Sequence, residues 1–134
     1  MVIDAPRLFW QWLERLADKA ASGDEHARMV RLHALAELRA LQRLEAEPQE
    51  ESATFKRVRQ SRRYPLWRVA HPFVDGLAVR TIVWFPPGQD RVVVAVLAGD
   101  KGPIGDVFYT SVATRADTAI DQYLYETQGE RDEH

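Results

Sequence analysis

The chain has 134 residues, no cysteine, 46% apolar and 28% charged side chains, and a formal net charge of −2. That length suits one domain with a buried core. The missing cysteines exclude disulfides and thiolate metal or redox chemistry, and no apolar run approaches the ~20 residues that cross a bilayer.

"MVIDAPRLFW" has no signal-peptide pattern, so a cytoplasmic protein is expected. The low net charge hides an uneven distribution. Residues 1–55 hold 7 basic and 10 acidic side chains, residues 56–101 hold 9 and 3, and residues 102–134 hold 2 and 7. A basic middle between acidic flanks points toward a nucleic-acid site.

In chain order, Asp4 is the expected cap of a first helix with Pro6 in its first turn. Leu8, Phe9, Trp12, Leu13, Leu16 and Ala20 then recur at helical spacing. "SGD" at 22–24 stops this helix, and Asp24 can cap a second running from about Glu25 to Ala46. The leucines of that second helix recur every three residues, which spreads its apolar surface widely. Two helices joined so briefly form a hairpin. "EAEPQEES" is an acidic loop. Beyond it the period changes to two. "TFKRVR", "PLWRVAH", "LAVRTIVWF" and "RVVVAVLA" are predicted strands, with turns at "PFVDG" and "PPGQD". Connections this short make the strands antiparallel neighbours. "GDKGPIGD" is an irregular link to a last helix from about Ser111 to Glu126. The expected class is α+β, with the helices mainly on one face of an antiparallel sheet. A single domain covers 1–126, and 127–134 forms a flexible acidic tail.

The stretch "FKRVRQSRRYPLWRVAH" (55–71) carries six Lys/Arg and no acid. Strand alternation puts Arg68 on the face opposite Trp67, Val69 and His71. Arg80 interrupts an apolar strand, and Lys101 follows the most apolar one. Neighbouring strands can bring Arg68, Arg80 and Lys101 onto one face, where a phosphate would neutralise them. In the plainer alternative each pairs with a carboxylate or points to solvent. Tyr109, at the start of the last helix, suits base stacking, proton transfer or simple helix–sheet packing. Trp10, Trp12, Trp67 and Trp84 suit a core or a partner interface. His26 and His33 have no third ligand at metal spacing. "GDKGPIG" fits neither a dinucleotide nor a Walker loop, and no nucleophile motif supports a covalent hydrolase.

Together, "LWRV", "AVRTIVWF", "VVVAVLAGDK" and "GDVFY" resemble the toxins of the RelE/ParE superfamily, closest to the HigB-like, phage Gp49-like branch. The likeness runs from about Leu8 to Leu124 in order of elements. Family members usually begin with a strand before the hairpin, for which "MVID" is short, and their two adjacent lysines are here Asp100 and Lys101.

The resemblance implies a RelE-like fold and a toxin of a toxin–antitoxin pair. It implies cleavage of mRNA, usually on the ribosome, by attack of the RNA's own 2′-OH, with no metal or other cofactor. Arg68, Arg80 and Lys101 would be the functional cations, and Tyr109 and His71 the proton-transfer candidates. Lys56, Arg57, Arg59, Arg62 and Arg63 would hold the RNA backbone or ribosomal RNA. The implied partner is an antitoxin, a helix-turn-helix protein, besides mRNA and the ribosome, with no membrane involvement. Two alternatives stay open: a ParE-like poison of DNA gyrase, and an inert module that binds RNA or protein.

Overall fold

The computed structural model describes residues 1–59, 63–69, 80–98 and 106–132. Its elements are β1 (Val2–Asp4), α1 (Arg7–Ala21), α2 (Glu25–Gln42), β2 (Phe55–Arg57), β3 (Leu66–Val69), β4 (Arg80–Trp84), β5 (Arg91–Ala98) and α3 (Asp106–Asp132). The class is α+β, as expected: a helical hairpin, a mostly antiparallel sheet and a C-terminal helix. The five strands lie in the order β1-β5-β4-β3-β2, and β1 joins β5 in parallel.

The helix ends follow local chemistry. Asp24 caps α2, its side chain accepting the Ala27 amide at 3.0 Å, an interaction worth about 1 kcal/mol. Gly23, at φ +102°, lets the chain leave α1 in a conformation that side chains with a Cβ disfavour. Asp4 does not cap α1. Pro6 holds that position without a side-chain bond, and the Arg7 amide points instead to both carboxylate oxygens of Glu126, at 3.3 Å. The Asp4 carboxylate bonds the Ala5 amide on one oxygen. Its other oxygen takes the Tyr123 hydroxyl at 2.8 Å and Arg91 at 3.3 Å. An early acid that could serve a helix thus ties β1 to β5 and α3.

Two further expectations are corrected. The helices do not share one face. One core cluster joins Phe9, Leu38 and Leu41 of the hairpin to Trp67, Val69, Val83, Val92 and Val94. The other joins Val112, Ala116, Ile120 and Tyr123 of α3 to Leu66, Ile82, Trp84 and Val93. Alternate residues of each strand therefore enter opposite cores, which explains the unbroken apolar run of β5. In addition, α3 is longer than its apolar pattern suggested. It begins at Asp106 and continues through Asp132, into the segment expected to be a flexible tail.

Candidate nucleic-acid interface

The sheet register assembles the cations. In β4, Ile82 and Trp84 enter the α3-side core, so Arg80 faces that side too. In β3, Leu66 enters the same core, which puts Arg68 on that side, while Trp67 and Val69 face the hairpin. Arg68 lies opposite Ile82, so Arg80 is its diagonal neighbour. The expected common face for Arg68 and Arg80 is present. Lys56 extends it: Lys56 pairs directly with Arg68 across β2 and β3, and residues that pair directly share a face. Like charges directly opposite each other destabilise a strand pair, so strand pairing alone does not explain this placement. Arg68 and Arg80 are half-buried, and both interact with neighbours inside the fold.

The row reaches one end of the sheet. Arg80 opens β4 and pairs with Ala98, the last residue of β5. The α3-side core begins with Val112 near the start of α3, while Tyr123, farther along, bonds Arg91 at the opposite end of β5 at 3.1 Å. The opening turn of α3, which contains Tyr109, is therefore at the Arg80 end. Helix N-termini favour anions. Lys101, His71 and Arg62 lie outside the described residues.

The remaining basic residues divide. Arg57 alternates to the hairpin face and stacks its guanidinium over Trp67, 4.8 Å from the ring centre. Trp67 itself is 1% exposed, and its indole N–H reaches Glu47 at 3.1 Å. Arg59 lies 3.6 Å from Glu51, with its side chain 81% exposed. Arg63 pairs with Asp121 of α3 at 2.5 Å. Arg59 and Arg63 thus each have a carboxylate partner. Both are exposed pairs, which add little stability and are screened by salt.

An acidic clasp on α3, which the strand pattern did not reveal, holds the entry to β3. Asp121 accepts from the Tyr64 hydroxyl and from Arg63, both at 2.6 Å. The Tyr64 bond, with the Arg63 bond and charge, holds the Asp121 carboxyl below its ordinary range. One turn earlier, burial pushes Asp117 upward, against the Arg63 charge and the backbone amides of Arg63 and Tyr64. The available signal was the spacing of these two acids, four apart in an acidic helix and so on one face, together with the basic stretch they meet.

Among the described residues no group of three or more His, Asp or Glu could hold a metal ion, and no helix is long and apolar enough to cross a membrane. The chain matches no protein-family model, no curated protein and no solved structure.

Proposed function

We propose that this chain is an mRNA endoribonuclease of the RelE/ParE kind: a translation-inhibiting toxin, ribosome-dependent and restrained by a helix-turn-helix antitoxin. The carrying observation is the row of Lys56, Arg68 and Arg80 on one side of the sheet, at the end where α3 begins. The short β1, ahead of the hairpin, adds support from the fold.

The chemistry requires no metal. The 2′-oxygen of one nucleotide attacks the adjoining phosphorus, and the bond to the 5′-oxygen of the next breaks. A base takes the 2′-hydroxyl proton, and an acid supplies one to the leaving oxygen. Arg68 positions the phosphate. Arg80 and Lys101 offset the charge that builds on its oxygens. Tyr109 or His71 carries the proton-transfer step. Lys56, beside Arg68, holds a neighbouring phosphate, with Arg57, Arg59, Arg62 and Arg63 as further backbone contacts.

The test is induced expression followed by mapping of mRNA ends. The expected result is arrested translation with mRNA cut at A-site codons, and loss of both in Arg80→Ala. A DNA-damage response with intact mRNA would instead indicate gyrase poisoning. Unaffected growth would leave only a binding module.

A further inference from the structure

The opposite edge of the sheet carries a second surface, which the ribonuclease reading does not use. β1 is an edge strand of the described sheet, and among the described residues only its inner side is paired, to Arg91, Val92 and Val93 of β5. Beside it an apolar groove of about 640 Å³ is lined by Met1, Val2, Ile3, Trp10, Leu35, Leu38, Arg39 and Gln42. Val2 is 65% exposed and Trp10 is 37% exposed. Single exposed apolar residues are ordinary, but a Trp and a Val lining one groove along an edge strand form a patch of the kind that marks interaction sites. α1 shows why the patch exists. "LFW" puts Phe9 into the core and leaves Trp10, one residue on, at the rim.

Among the lining side chains the only charge is the Arg39 guanidinium, which is exposed and forms no ion pair among the described residues. An edge strand without a second strand partner among the described residues, next to an apolar trough with the Arg39 guanidinium and, held by the Gln42 and Leu44 carbonyls, the Met1 ammonium, matches an extended peptide. Its backbone would bond the outer edge of β1. Alternate side chains would enter the trough, and a carboxylate would reach Arg39.

We propose that the β1 edge and its groove dock an extended segment of another polypeptide, alternating in apolar residues and carrying an acid opposite Arg39. A second copy of this chain fits less well. Paired edge to edge, it would offer only its own β1. The single acid of that strand, Asp4, is held by Ala5, Tyr123 and Arg91.

The experiment pans a random peptide display library on the full chain, with counter-selection against Trp10→Asp. Surviving peptides are assayed by calorimetry and by amide exchange at residues 2–4. The expected peptides alternate apolar residues, contain Asp or Glu, and slow β1 exchange. Their binding should fall about tenfold or more in Trp10→Asp and in Arg39→Glu, and persist unchanged in Arg80→Ala. That last variant separates this surface from the cation row, so either can fail without the other. The proposal is overturned if no peptide survives or if survivors show helical spacing. It is also overturned if β1 exchange is unaffected, or if the chain self-associates through this edge and Trp10→Asp abolishes the association.

Discussion

The two edges of the sheet are built from strands of three residues each, yet their chemistry is opposite. β2 contributes Lys56 and Arg57, with Arg59 just beyond it, and its neighbour β3 adds Arg68. β1 contributes Val2, Ile3 and an acid already engaged by the fold. Natural sheets often guard an edge with charge or by keeping it short. Here both edges are short, but only one is basic. The basic edge continues inward along a row of cations to Arg80, whereas the apolar edge continues outward into a groove. The difference separates a surface suited to a polyanion from one suited to a polypeptide, at opposite edges of one five-stranded sheet.

The largest expected effect breaks this comparison or secures it. Arg80→Ala should lower RNA cleavage by roughly 100-fold or more, the usual cost of losing one group that stabilises transition-state charge. Trp10→Asp should leave cleavage unchanged. Under the proposed ribonuclease reading, rates of mRNA cleavage by the two purified variants on programmed ribosomes decide it. Equal loss in both would mean that the edges act as one surface.

Next in size is the anchoring of each edge to α3. At the apolar edge, Tyr123 is 5% exposed, donates to Asp4 and accepts from Arg91. Tyr123→Phe removes both bonds from a buried site and should cost about 1–3 kcal/mol, measured by urea denaturation, with faster amide exchange in β1. At the basic edge, Arg63→Ala removes an exposed ion pair and should cost clearly less than Tyr123→Phe. A larger loss at Arg63 would make the clasp, and not the latch at β1, the main support of the sheet's edges.

A smaller effect sharpens the electrostatic difference. Affinity for a single-stranded RNA should fall with salt, with a log–log slope of about −0.7 per phosphate contacted. Lys56→Ala should make that slope shallower by about one contact. Trp10→Asp should leave the slope as it is. Filter binding over a salt series measures both.

How far these features were legible depends on the range of the interactions. The period-two pattern of "LWRV" and "RTIVW" is local, so the common face of Arg68 and Arg80 could be read before any register was known. β5 was bounded correctly from its apolar run, and the cap at Asp24 from its place after Gly23. β1 was not legible as a strand, because three residues carry little periodicity and their pairing partner is distant in the chain. Asp4 misled for a related reason. Its position suits a cap, but its partners are Arg91 and Tyr123. The division of the helices between two faces is set by which alternate residues meet which helix, and no single segment encodes that. Lys56 was read as a distant affinity residue because only the β2–β3 register puts it beside Arg68.

The smallest effect concerns the clasp that borders the basic edge. Asp121 is held below its ordinary range by the Tyr64 hydroxyl first and by Arg63 after it, so its folded form gives up a proton more readily than the unfolded chain does. Its stabilisation is present above the ordinary carboxylate range and is lost as pH falls through the lowered value. Asp117 is raised, by burial first, so the folded state favours its protonated form. That contribution is complete below the ordinary range and is lost as pH rises through the raised value. The two acids, one helical turn apart, should therefore titrate in opposite directions from the usual midpoint. Carboxyl carbon NMR on the intact chain should find Asp121 ionising below the usual carboxylate range and Asp117 above it. In Tyr64→Phe the Asp121 midpoint should move upward, because its largest stabilising bond is gone. An unmoved midpoint would mean that Arg63 alone holds the carboxylate. The clasp would then be a salt-sensitive contact, readily exchanged for a phosphate, and the boundary of the basic edge would lie at α3 rather than at β3.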